Sequence, residues 1–197
     1  MNKGWVVLLS IVGIILFIGL LFSGSYNELV RLDEGVKAAW SQVENVYQRR
    51  LDLIPNLVET VKGYAAHESQ TFQAVTDARA RATSTQISSD VITDPSKFQK
   101  FQESQAMLSS ALSRLLAVAE NYPDLKANQN FLELQAQLEG TENRITVERG
   151  RFNEAAQRFN TKLRQFPTNL LGGLFGFRSK EYFQADASAQ AAPKVQF

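Results

Sequence analysis

YNELVRLDEGVKAAWSQVENVYQRRLDLIPNLVETV, residues 26–61, carries apolar side chains at Leu29, Leu32, Val36, Ala39, Val43 and Val46, then at Leu51, Ile54, Val58 and Val61. Steps of three and four alternate, so the apolar set lies on one side of a helix, close to a coiled-coil seam. Ala65, Phe72 and Val75 continue the series past Glu68, and one helical segment is predicted from about Tyr26 to Thr83. Pro55 removes a backbone donor inside it, which predicts a kink or a fresh helix start. Tyr47, Arg49, Arg50, Asp52 and Asn56 gather around that proline. They are expected to satisfy the carbonyl it frees, or to pair with a later helix through Glu142 or Glu148.

Upstream, residues 5–22 read WVVLLSIVGIILFIGLLF, 18 residues without a charge. A helix of that length covers about 27 Å, the thickness of a bilayer core. Trp5 stands at its edge, where an indole prefers headgroups, and Leu9, Ile14, Phe17 and Phe22 are expected to face lipid. The preferred reading is an uncleaved transmembrane anchor over residues 1–25. The alternatives are a cleaved signal peptide, for which Ser23 and Ser25 offer small residues, and a buried core helix. The run exceeds the usual signal h-region of about 7–15 residues and has no polar face. With no Cys, the chain has no thiol to acylate. Lys3 and the amino group before the run favour an inside N-terminus, with the bulk of the chain outside the cytoplasm.

Downstream, Ser, Thr and Asp dominate residues 83–94, which read as a loop without core signal. Asp94-Pro95 is an N-cap followed by proline at the first helical position. A second helix is expected to about Asn121, with Phe98, Phe101, Leu108, Leu112, Leu115 and Val118 as its stripe. After the turn Tyr122-Pro123-Asp124, a third helix is expected from about Asp124 to Gln165. Its stripe is Leu125, Phe131, Leu134, Leu138, Ile145, Phe152, Ala155 and Phe159, interrupted by Glu142-Asn143-Arg144, which join the residues around Pro55 as a candidate cluster for fixing helix register or binding a partner. The predicted fold is all-α: an N-terminal transmembrane helix, then an antiparallel bundle of three to four long helices over residues 26–166. Pro167 is expected to end the third helix. Leu170, Leu171, Leu174, Phe175 and Phe177, interleaved with three glycines, form an apolar tail. It either folds back on the bundle or makes an oligomer or membrane contact. Residues 184–197 read as flexible.

No reaction is legible. His67 is the only histidine, and no second one follows at metal-binding spacing; cysteine nucleophiles and thiolate metal sites are excluded. No catalytic residue, metal or cofactor is expected. Of 21 Lys and Arg only Lys3 precedes residue 26, leaving 20 against 20 Asp and Glu. A balanced chain argues against nucleic acid as a partner.

Several stretches carry a family resemblance. They are Tyr26-Asn27-Glu28-Leu29-Val30, Ala39-Trp40-Ser41-Gln42-Val43-Glu44 and the run Tyr47-Gln48-Arg49-Arg50-Leu51-Asp52-Leu53-Ile54-Pro55-Asn56-Leu57-Val58. Val61-Lys62-Gly63-Tyr64, Glu120-Asn121-Tyr122-Pro123-Asp124-Leu125, Glu142-Asn143-Arg144-Ile145 and Arg151-Phe152-Asn153 follow. With these the chain resembles the LemA family over nearly its full length. The resemblance implies a bacterial membrane-anchored helical bundle and no activity. The expected function is a non-enzymatic, single-pass scaffold of the bacterial inner membrane that forms homo-oligomers. The alternative is an adaptor or sensor docking another membrane protein, such as a protease or signalling receptor, through the patch around Arg49, Arg50 and Asp52.

Overall fold

The computed structural model describes residues 3–85 and 90–184, apart from the side chains at 3, 6, 7, 15, 18, 20, 21 and 171. The described residues form helices and no strand. The first helix, α1, runs from Lys3 to Lys62, so the uncharged run and residues 26–61 belong to one helix of 60 residues. Among the described residues no helix is long and apolar enough to cross a membrane; six apolar side chains of the run, at 6, 7, 15, 18, 20 and 21, lie outside that set. Trp5, Leu9, Ile14 and Phe17 are exposed and Phe22 is half-buried.

The predicted segment from Tyr26 to Thr83 is divided. α1 stops at Lys62, residues 63–68 turn the chain, and α2 occupies Ser69–Ser84. The proline does not end α1. The carbonyl that Pro55 cannot bond is that of Leu51, four residues earlier. It accepts a hydrogen bond from Nε of Arg79 on α2 at 3.1 Å. The residues flanking Pro55 were expected to supply this partner; a cation from the next helix does so instead. Arg79→Met is expected to cost about 1 kcal/mol, because a charged donor leaves a partly buried carbonyl. The urea midpoint of the detergent-solubilised chain measures it.

Residues 91–93 form a 3-10 turn. The loop expected to lack core signal buries both Val91 and Ile92. α3 spans Pro95–Ala119, and the carboxylate of Asp94 accepts from the amides of Ser96 and Lys97, the cap the sequence announces. The third long helix begins later than predicted. Pro123–Lys126 is a separate turn, α4, and Asn128 caps α5, which runs Gln129–Arg164. α5 ends before Pro167, and a cis Phe166–Pro167 bond leads into α6, Thr168–Leu174.

α1 and α5 lie antiparallel along most of their length. Trp40 meets Phe152 and, ten residues further along α1, Arg50 meets Glu142 on the oppositely running partner. α2 and α3 form a hairpin over one half of this pair. Leu51, Ile54, Leu57 and Val61 pack there with Val75, Ala78, Leu108, Leu112 and Leu138. The other half is aromatic. Trp40 and Tyr47 of α1 pack with Phe98 and Phe101 of α3, Phe152 and Phe159 of α5, and Phe183 from beyond α6.

Candidate functional site

Two regions collect the residues singled out in the sequence. The first is the seam between the two apolar clusters. Leu29, Val36, Val43 and Leu57 are buried at seven-residue spacing on α1, and Arg50 takes the remaining place in that row, only 1% exposed. Its guanidinium donates to Glu142 at 2.9 Å and Ser109 at 3.0 Å, and also to the side-chain Oε1 of Gln105. It lies 5.0 Å from the centre of the Tyr47 ring. Arg50 Nε and Gln105 Nε2 are buried without a hydrogen-bond partner among the described residues. A polar cavity of about 320 Å³ adjoins the group, with Arg149 and Thr146 also on its wall.

The rest of the proposed cluster stands apart. Arg49, Asp52, Asn56, Asn143 and Arg144 are exposed, and Asp52 is held by Gln48 at 2.8 Å. A docking partner can therefore touch Arg49 and Asp52, whereas Arg50 faces the interior. His67 is exposed in the turn between α1 and α2 rather than on a helix. Among the described residues no group of three or more His, Asp or Glu is placed to hold a metal ion.

The second region is the end of the bundle beside residues 19–26. α6 closes with Gly176 at φ +75°, a left-handed position that glycine occupies without strain. The Phe177 amide then bonds the Gly172 carbonyl at 3.0 Å, a Schellman end. Gly172 is the other glycine with a reason: a Cβ there would lie 2.5 Å from Leu163 Cδ1. Tyr26 packs on Phe175 at 4.9 Å and Phe177 at 5.9 Å. Tyr26, Phe22, Leu170, Leu174 and Phe175 border an open apolar groove of about 710 Å³ between α1 and α6. Phe177 is half-buried, Leu170, Leu174 and Phe175 are exposed, and the side chain of Leu171 is outside the described set.

From Phe177 the chain runs back along α5 as an extended strap, a feature the sequence did not disclose. Asn160 donates to the Lys180 carbonyl at 2.9 Å and accepts from its amide at 2.8 Å. Asn153 repeats the pair with Phe183, at 2.9 Å each way. Seven residues of helix and three of extended chain both advance about 10 Å, so the two asparagines match the strap's repeat. The Glu181 amide donates to the Ile92 carbonyl at 2.9 Å, which ties the strap to the 3-10 turn as well. Beyond Gln184, the expected flexible tail lies outside the described residues.

Lys180 anchors the strap to α1 through a nearly buried ion pair with Asp33, 2.6 Å apart, and Lys37 holds the same carboxylate at 2.9 Å. Burial alone would raise the Asp33 carboxyl; hydrogen bonds from Lys180 and Lys37 outweigh it and hold the group below its usual range. A lowered folded pKa adds stability above the unfolded value, about 3.9, and that stability is lost as pH falls through the folded value. The strap is therefore expected to loosen only below about pH 4. Trp40 fluorescence in a Trp5→Phe background should report it, and Asp33→Asn should remove this acid dependence.

Compared with known proteins, the chain matches the LemA family over residues 39–197. The magnetosome protein MamQ 2 of Paramagnetospirillum magneticum is 28% identical over 192 residues, covering 89% of this chain and 70% of that protein. The magnetosome protein MamQ of Magnetospirillum gryphiswaldense is 27% identical over 191 residues, with 89% and 70% covered. Protein LemA of Metamycoplasma hominis is 25% identical over 174 residues, with 88% and 74% covered.

Proposed function

The chain belongs to the LemA family, and from that premise we propose that it is a non-enzymatic, single-pass scaffold of the bacterial inner membrane. It works by packing its bundle against further copies of itself. The observation that carries this reading is α1. The uncharged run 5–22 continues into the bundle helix without a linker, so the anchor fixes the bundle's orientation. Anchored copies then present the same faces to one another, which lowers the orientational cost of lateral association. The relatives support a structural role, since the magnetosome proteins are named for a compartment and not for a reaction. In this reading the bundle stands on the periplasmic or extracellular side, and the Arg50 group fixes helix register.

Lysine cross-linking of the full chain in intact membranes is expected to give a ladder of homo-oligomers. Monomer alone would refute the scaffold. A stoichiometric second protein, lost when exposed Arg49 and Asp52 are neutralised, would establish the adaptor in its place.

A further inference from the structure

The end of the bundle nearest residues 5–22 combines two kinds of surface. The first is apolar. Phe166 is 81% and Leu174 78% exposed, and Leu170 and Phe175 beside them are more than half exposed. Leu170, Leu174 and Phe175 face Gly19, Phe22 and Tyr26 of α1 across the open groove, level with the end of the uncharged run, and Phe175 packs on Tyr26. The second is basic. Arg158, Lys162 and Arg164 lie in the last two turns of α5, and Arg178 follows the Schellman end. Among the described residues none of these four cations is in a salt bridge, whereas the neighbouring Arg31 and Lys180 are paired with Glu28 and Asp33. Lys162 comes no closer than long-range attraction to Glu28.

Charge complementarity and position together select one occupant. Apolar side chains at one end of the bundle, with cations outside any salt bridge in the adjoining turns and an uncharged helical run beside them, match a bilayer surface. The prongs suit the boundary between headgroups and acyl chains, and the cations suit anionic phosphates. We propose that the segment Phe166–Arg178 is a second membrane contact. Leu170, Leu174 and Phe175 enter the headgroup layer while Arg158, Lys162, Arg164 and Arg178 bind the phosphates of anionic lipids. The inference rests on the reading of residues 5–22 as a span. It adds a second point of attachment, so the tilt and rotation of the rigid unit of α1 and bundle are set by lipid charge as well as by the span.

The chain has no cysteine, so single-cysteine labelling is clean. Full-length Leu174→Cys carrying an environment-sensitive fluorophore is reconstituted into vesicles of phosphatidylcholine alone, or with phosphatidylglycerol added. Acrylamide quenching is expected to fall about threefold with the anionic lipid. It should return to the neutral-lipid value when Arg158, Lys162, Arg164 and Arg178 are all replaced by glutamine. Leu170→Cys should behave alike, which separates the protein's preference from that of the label. Equal quenching in both lipids overturns the proposal. So does shielding that follows protein density and not lipid charge, since a second copy would then be the occupant. Ile14→Cys reports the span separately: if its label is water-accessible in every vesicle, the anchor reading itself has failed.

Discussion

Phe183→Ala is expected to destabilise the folded chain by about 3–5 kcal/mol, the usual cost of removing a phenylalanine from a packed core. The residue lies near the end of the described chain and looks expendable in sequence. Its ring nevertheless meets those of Trp40, Phe98, Phe101 and Phe152 at 5.0–6.3 Å, and Arg149 covers it at 4.6 Å. Truncation removes one wall from around Trp40, the single tryptophan of the bundle. It also removes the strap's aromatic anchor, leaving Asn153, Asn160 and the Lys180–Asp33 pair to hold it. Two readouts should move together in a Trp5→Phe background: the urea midpoint falls, and Trp40 emission shifts to the red. Phe183→Leu should recover most of the midpoint, because volume and burial are then largely kept. An unchanged midpoint for the alanine variant would mean that the strap is not part of the cooperative unit.

Glu142→Ala is expected to cost about 2–3 kcal/mol, more than the exposure of Glu142 suggests. The glutamate is 42% solvent-exposed at its side chain, and its partner Arg50 only 2%. Removing the wetter residue strands the buried charge, which keeps only Ser109, Gln105 and the face of Tyr47. Replacing the whole buried set by shape-matched apolar groups, Arg50→Met with Gln105→Leu, should bring stability back to within about 1 kcal/mol of the parent. Glu142 can then turn to water. Urea unfolding of the parent, the single variant and the double variant separates these outcomes. If the double variant is as unstable as Glu142→Ala, the node is a net source of stability and not a device of register. If it is as stable as the parent but exchanges its core amides faster, register is what the node provides.

The helical class, the Asp94 cap and the antiparallel pairing were legible because each is written in local periodicity or in a short cap motif. Burial was legible for Val36, Val43 and Ile54, but the buried row on α1 was harder to place. Steps of seven from Leu29 run through Val36 and Val43 to Arg50 and Leu57. Read as apolar-only, that row breaks at Arg50, and the eye moves to Val46 and Leu51 instead. Trp40 was left out of that stripe, and Tyr47, read with the polar cluster around Pro55, is buried in the aromatic half of the core. The fate of Pro55 was hidden because its carbonyl's partner, Arg79, is 28 residues away and on another helix. The strap was hidden most thoroughly. Its pairing depends on two asparagines seven residues apart matching a segment whose sequence carries no periodicity.

α1 has one further implication. From Phe22 to Lys62 it is 41 residues of continuous helix, an arm of about 60 Å, and α5 braces it over much of that length. Such an arm converts small angles into large displacements. A change of about ten degrees in tilt where it leaves the run 5–22 would carry the turn at residues 63–68 sideways by about 10 Å. The match between hydrophobic length and bilayer thickness influences helix tilt. On the proposed reading of run 5–22 as a span, the far end of this molecule would be a pointer whose position reads the state of the lipid at its base.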